Sequence, residues 1–195
     1  WALHTARHMM AKSTFAVRKV ACLKLPPILS KRIGVEMSTQ VRELYEHFKK
    51  HFIVELERGR VMSTNFVVAK MTALARMVSG RAIADDGTEV RLPCAKLDAF
   101  KILLPIWLDL HKKMVVWCRF RFEAEDLLEV LHGRKLQVAR VFGSIDTAEE
   151  VRRFQTDSST RVLVSTLAKG SFALTLTAAS AAVYYGRDFS VGRRG

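Results

Sequence analysis

Apolar residues between positions 28 and 112 recur mainly at three- and four-residue spacing, which is typical of amphipathic helices. The clearest pattern runs from 40 to 58 and stops at Gly59, a residue that commonly ends helices. We predict helices over 40–58, 65–78 and 96–111, a short strand over 28–37, and a turn or small hairpin at 85–87. We expect Pro105 to kink or divide the third helix.

The pattern changes at Met114, where short runs rich in β-branched residues begin to alternate with helical segments. The predicted strands cover 115–118, 138–142, 162–165 and 181–185, and the predicted helices cover 122–131 and 147–154. Alternation at this length is typical of βαβ units on a parallel sheet. The predicted fold class is therefore α/β, a parallel sheet flanked by helices and preceded by a mostly helical segment.

Three segments follow from these patterns. Residues 1–27 form a basic lead-in that stops at the helix-breaking Leu25-Pro26-Pro27, residues 28–112 are mostly helical, and residues 113–195 form the α/β lobe. Because 49% of the 195 residues are hydrophobic, the chain can bury a substantial core, which excludes a disordered tail. Since it begins with Trp1 and ends in Gly-Arg-Arg-Gly, we expect a fragment of a longer polypeptide.

The formal net charge of +13 indicates a polyanionic partner, with nucleic acid first among the choices. The charge is uneven, because seven basic residues and no acidic residue precede Glu36. Such an opening also fits a mitochondrial transit peptide, although the absence of an initiator Met weakens that alternative.

Cysteine spacing argues against a zinc site or a disulfide framework, because Cys22, Cys94 and Cys118 are far apart and no Cys-x-x-Cys occurs. This pattern favours an intracellular protein, in cytoplasm or nucleus. The longest apolar stretch, Phe172–Tyr185, has fourteen residues and is too short to span a membrane.

Two further residue types have simple interpretations. His47 and His51 have the spacing of half a metal site, but no Cys or carboxylate set completes it, which favours a solvated helix face. Trp107, Trp117 and the phenylalanines occupy helical or strand positions, which favours core packing over base stacking. We therefore assign no metal ligand.

Several pieces of the sequence form an ordered set of motifs. Met114-Val-Val-Trp-Cys118 followed by Arg119-Phe-Arg-Phe, and the strand and loop over 161–179, resemble motifs IV and V in the second lobe of Swi/Snf-like, DNA-translocating ATPases. Pieces in between and before also match: Val138–Ser144 with Arg153–Asp157, Pro93–Asp98, and Leu25-Pro26-Pro27 with Val35–Ser38. The order and spacing of these pieces carry the resemblance, which covers roughly 25–190.

The resemblance implies a RecA-like lobe that holds the backbone of double-stranded DNA through motifs IV and V. The residues implied for this contact are Arg119, Lys169, Gly170, Ser171 and Thr177. Loops at the carboxyl ends of parallel strands suit this role, since free N–H groups, hydroxyls and basic side chains bind phosphate oxygens. Motif V departs from the family pattern at Ser171, Ala173 and Thr175, where the family often has Gly, Gly and Asn.

The family's catalytic motifs are missing from this sequence. It has no phosphate loop Gly-x-x-x-x-Gly-Lys-[Ser/Thr] and no Asp-Glu-x-His box, and it stops before the arginine-bearing motif VI. The resemblance implies that ATP and Mg²⁺ are bound mainly by a missing first ATPase lobe, the second expected partner besides DNA. We therefore assign no catalytic residue and expect the chain alone to be inactive.

Two alternatives stay open from the sequence. One is a non-enzymatic nucleic-acid-binding protein that retains the fold without a partner lobe. The other is a Rossmann-like small-molecule enzyme, which is less favoured because no Gly-x-Gly-x-x-Gly follows a first strand.

Overall fold

The computed structural model describes residues 28–56, 59–170 and 174–187, and the chain forms two compact units, Trp1–Gly34 and Val35–Gly195. In the first unit, residues 28–34 have no regular secondary structure, and neither have residues 35–38 of the second. The predicted strand over 28–37 is therefore wrong. Extended backbone becomes a strand only where a neighbouring strand supplies hydrogen bonds, which a local residue pattern does not reveal. The predicted lead-in, 1–27, lies outside the described residues.

The second unit begins with helix α1, Thr39–His51, whose start is capped by the Ser38 hydroxyl accepting from the Val41 N–H at 3.4 Å. The helix ends at Phe52, which adopts a left-handed φ of 63° and donates its N–H to the Phe48 carbonyl. The predicted helix over 40–58 is thus too long by about two turns. The residues after Phe52 form a hairpin instead, strands β1 (Ile53–Glu55) and β2 (Val61–Ser63), paired antiparallel.

The next elements agree with the predicted helices and turn, and Pro105 does not divide the third helix. Helix α2 covers Val67–Val78, strands β3 (Arg81–Ile83) and β4 (Glu89–Arg91) form an antiparallel hairpin, and helix α3 covers Ala95–Leu110 with Pro105 inside it. Gly80 allows the turn after α2, because its φ of 90° is strained for other residues. Helices α1 and α2 and both hairpins share a core of their own, which includes Phe48, Met62 and Met77.

The rest of the unit is a four-stranded sheet, and its elements are β5 (Met114–Cys118), α4 (Arg121–Gly133), β6 (Gln137–Val141), α5 (Thr147–Thr156), β7 (Thr160–Thr166), α6 (Leu167–Gly170) and β8 (Ala181–Tyr184). The strand order is β6-β7-β5-β8, and every neighbouring pair is parallel. The predicted parallel sheet flanked by helices is confirmed.

The two faces of the sheet bury different residues, as strand periodicity requires. On one face, Val116 and Val164 pack with Leu104 of α3 and Leu127 of α4. On the other face, Val115, Ala139 and Leu163 pack with Phe154 of α5 and with the loop before β8. Both tryptophans predicted for the core pack partly buried, Trp107 on the first face and Trp117 on the second. The carboxyl ends of all four strands share one edge, and this edge carries the candidate site.

Candidate nucleic-acid interface

Arg119 lies directly after β5, at the carboxyl edge of the sheet. Its guanidinium carbon is 5.0 Å from the centre of the Phe120 ring, and its backbone N–H donates to Glu123 Oε2 at 2.8 Å. The Phe120 N–H donates to the same oxygen at 3.0 Å. The loop that resembles motif IV is thus fixed through its backbone by the carboxylate in the first turn of α4.

Glu123 is the centre of a buried polar network that the sequence did not indicate. Only 1% of the residue is exposed, and its Oε1 accepts from Ser79 Oγ at 2.7 Å and from Lys96 Nζ at 2.9 Å. Lys96 also donates to Ser79 Oγ at 2.7 Å. Two backbone N–H groups, a hydroxyl and an ammonium therefore balance one buried carboxylate. An acidic residue three positions after a helix start was the available signal, and Phe120 at the cap position obscured it.

Gly186 follows β8 and approaches the same network closely. A Cβ at this position would lie 2.6 Å from Glu123 Oε2 and 2.8 Å from the Arg119 backbone nitrogen. Only glycine fits there without displacing backbone. The close approach places Arg187, the next residue, beside the loop that carries Arg119.

Two side chains near this network stay uncharged. Burial raises the pKa of the Cys118 thiol well above its ordinary value, and the nearby Glu123 charge raises it further against the opposing effect of Lys96. Burial likewise raises the pKa of Tyr185, whose hydroxyl lies 3.5 Å from Cys94 Sγ. Both groups are therefore neutral at physiological pH, and neither can act as an anionic nucleophile.

Lys169 lies in α6, the short helix after β7, and its side chain is exposed. Strands β5 and β7 are neighbours whose ends pair Cys118 with Thr166, so Lys169 and Arg119 follow adjacent strand ends. Gly170 is the last residue of α6. Ser171 lies outside the described residues. The structure thus brings Arg119, Lys169 and Gly170 to one edge of the sheet, in agreement with the geometry that parallel strands impose.

Thr177 lies elsewhere, in the loop that precedes β8. The Gln155 side chain holds this loop: Nε2 donates to the Thr175 carbonyl at 2.5 Å and to Thr177 Oγ1 at 3.5 Å, and Oε1 accepts from the Ala178 N–H at 2.9 Å. Gln155 lies near the end of α5, and α5 leads from the carboxyl end of β6 to the amino end of β7. Thr177 is therefore at the amino edge of the sheet, opposite to Arg119.

Among the described residues, no group of three His, Cys, Asp or Glu side chains could hold a metal ion. His47 and His51 are exposed, and His47 Nδ1 lies 2.9 Å from the Ile53 carbonyl oxygen. No helix in the described ranges is long and apolar enough to cross a membrane.

Comparison with known proteins identifies the fold. No protein-family model and no curated protein sequence matches this chain. The C-terminal domain of the Sulfolobus solfataricus SWI2/SNF2 ATPase is similar in structure, with a TM-score of 0.59 and 15% identity over 78% of this chain and 69% of that domain.

Two larger structures of the same ATPase are also similar. Its core domain has a TM-score of 0.58 and 14% identity, and its core in complex with dsDNA has a TM-score of 0.52 and 16% identity. These alignments cover 78% and 76% of this chain, but only 33% and 31% of the two cores. The chain thus spans about a third of the length of these two cores, and its fold is that of the C-terminal domain, the RecA-like fold that its motifs predict.

Proposed function

We propose that this chain is the C-terminal lobe of an intracellular, ATP-dependent DNA translocase of the Swi/Snf-like type. The observation that carries the proposal is the placement of Arg119 and Lys169 after the paired ends of β5 and β7. The fold shared with a SWI2/SNF2 C-terminal domain supports it, as does the net charge of +13.

The role we assign to this lobe is to hold the DNA backbone. Arg119 and Lys169 place two basic side chains at one sheet edge, where their charge and N–H donors suit phosphate oxygens. Because the Glu123 carboxylate fixes the backbone beneath Arg119, the guanidinium starts from a defined position. Contacts of this kind carry no base information, so binding is independent of sequence.

ATP and Mg²⁺ belong, in this proposal, mainly to a first lobe, and their hydrolysis drives the closing and opening of the two lobes. The described residues contain no set of His, Cys, Asp or Glu that fits a metal ion, so we derive no metal-dependent step for this chain. Its own part is to change its grip on one DNA strand as the lobes move.

Binding of a labelled DNA duplex, followed by fluorescence anisotropy at several salt concentrations, tests this function. We expect a Kd of about 10⁻⁴ to 10⁻⁶ M without sequence preference, which weakens steeply with salt. Arg119→Ala and Lys169→Ala should each reduce the salt slope by about 0.9, the share of one phosphate contact. Arg140→Ala is the matched control, because it removes an exposed arginine from β6, an edge strand that carries neither Arg119 nor Lys169.

A different result would contradict the motif-based assignment. If the first two variants bind like the wild type while deletion of residues 1–35 abolishes binding, the basic lead-in alone carries the affinity. If the wild-type chain does not bind duplex DNA at 50 mM salt, the proposed function itself fails.

A further inference from the structure

A cleft of about 350 Å³ lies between helix α2 and the carboxyl ends of β5 and β8. One wall is apolar and comes from α2, with Met71, Leu74 and Val78 among its residues. The opposite wall is basic and contains Arg119 and Arg187. The cleft therefore places an apolar helix face opposite two guanidinium groups.

The described residues that line this cleft carry a net positive charge. Among them Glu123 is the one carboxylate, and it is buried and bound to Lys96 at 2.9 Å, so these two charges balance. Because the Glu123–Lys96 pair is neutral, the net positive charge comes from Arg119 and Arg187. Arg187 is exposed, and no carboxylate in the described part of the chain forms an ion pair with it.

A third arginine, Arg76 of α2, does not line the cleft itself but contacts Phe120, which does. The guanidinium carbon of Arg76 lies 5.3 Å from the centre of the Phe120 ring, and that of Arg119 lies 5.0 Å from the same ring. Phe120 is itself stacked on Phe122, with ring centres 5.2 Å apart and planes inclined by 10°. A guanidinium that stacks on an aromatic ring still has its N–H donors in its own plane, at the rim of the stack. These donors can then bind a phosphate beside the ring.

No carboxylate in the described ranges forms an ion pair with Arg76. An anion that reached the edge of the Phe120 ring would be attracted by both guanidinium charges. A phosphate suits such a place, because arginine side chains bind its oxygens through two parallel hydrogen bonds. The apolar wall of α2 suits the sugar next to a phosphate.

We propose that this cleft binds a sugar-phosphate unit of the DNA backbone through Arg76, Arg119 and Arg187. The proposal rests on the proposed function and extends it: α2, outside the sheet, becomes part of the DNA-binding surface. Arg76 and Arg187 belong to none of the sequence motifs that predicted DNA contacts. Arg187 lines the cleft together with Arg119, and Arg76 shares the Phe120 ring with Arg119, and both relations are visible only in three dimensions.

The test is duplex binding by the full 195-residue chain at 50 to 200 mM salt. Arg76→Ala and Arg187→Ala should each weaken binding about tenfold, the share of one charge-assisted contact, and reduce the salt slope by about 0.9. Arg76→Lys should recover part of the affinity, because it keeps the charge but loses the planar fork. Arg140→Ala removes the same charge at the far edge strand and should weaken binding by less than about twofold.

Folding of each variant is checked by its circular dichroism and urea midpoint. Arg187 is exposed, so its replacement tests the site even if Arg76→Ala unfolds the chain. If Arg187→Ala and Arg76→Lys bind like Arg140→Ala while Arg119→Ala weakens binding, this inference is wrong and the proposed function stands. If the variants lose binding to ATP or ADP but not to DNA, the cleft binds a nucleotide and the inference is also wrong. Absence of wild-type DNA binding would instead remove the proposed function.

Discussion

Replacing the buried carboxylate of Glu123 is the sharpest stability test that the structure offers. Glu123→Gln preserves the shape of the side chain and removes its charge. The Lys96 ammonium then loses its carboxylate partner at 2.9 Å, in a place where Glu123 is only 1% exposed. Breaking a buried ion pair by removing one partner costs about 3–5 kcal/mol, because it leaves an uncompensated charge.

The lower end of that range applies here, because 23% of the Lys96 side chain is exposed and water can solvate part of the ammonium. We therefore expect a loss of about 3 kcal/mol for Glu123→Gln. For a chain of this length, that corresponds to a fall in Tm of about 6–12 °C. Glu125→Gln is the matched control on the same helix, since its ion pair with Arg121 is exposed and should contribute less than about 1 kcal/mol.

Urea unfolding followed by circular dichroism measures both changes. The double variant Lys96→Met with Glu123→Gln removes the unpaired charge, so its loss of stability should be smaller than the sum of the single losses by about 1–3 kcal/mol. Additivity within about 0.5 kcal/mol, or a loss below about 1 kcal/mol for Glu123→Gln alone, would refute the network as described.

Three further predictions concern other parts of the fold. Gly186→Ala should destabilise the chain by about 1–3 kcal/mol in urea unfolding, because its Cβ meets the Arg119 backbone nitrogen at 2.8 Å, whereas Gly133→Ala, with nothing within 4 Å, should be nearly neutral. Gln155→Ala should cost about 1–2 kcal/mol and speed hydrogen exchange at the Ala178 amide, since it removes the acceptor of that N–H; unchanged exchange would contradict the predicted role. Hydrogen bonds from the Thr160 hydroxyl and then from Ser159 lower the pKa of Asp157 to about 2. The contribution of Asp157 to stability is therefore present above its ordinary pKa near 4 and is lost as pH falls towards 2. Asp157→Asn should flatten acid unfolding in that window, and an unaltered pH profile would count against this prediction.

The sheet was predictable because its signal is local. Each strand from β5 to β8 is a short run of apolar and β-branched residues, and each connecting helix has its own periodicity. For the four strands and for helices α4 and α5, the predicted first and last residues lie within two residues of the observed ones. Parallel pairing followed from the length of the connections.

The end of α1 was not predictable from periodicity alone. Phe52 and Leu56 continue the four-residue spacing of α1, but the backbone turns left-handed at Phe52, and buried residues then alternate as in a strand. Residues four apart lie on the same side of a strand and also on the same face of a helix. The spacing of Phe52 and Leu56 therefore fits both structures. Packing in the core beside Phe48 and Met62 selects the hairpin.

The candidate site was predictable only in part, for a related reason. Arg119 and Lys169 follow strand ends, and strand ends can be read from sequence. The bond from Ser79 to Glu123 crosses 44 residues and the bond from Gln155 to Thr177 crosses 22, so no local pattern contains either contact. For the same reason, the motifs group Thr177 with Arg119, although it lies at the opposite edge of the sheet.

The most direct test of the account is phosphate release from ATP with and without duplex DNA. The 195-residue chain alone should show no turnover above a buffer control, because its sequence contains no phosphate loop and an arginine finger alone contributes ~10³ to 10⁵ in rate. By the proposed function, a longer polypeptide that carries this chain together with a first lobe should hydrolyse ATP with DNA stimulation, and Arg119→Ala with Lys169→Ala should remove that stimulation. Turnover by the chain alone would contradict the account, and so would a longer polypeptide with a phosphate loop whose ATP hydrolysis ignores DNA.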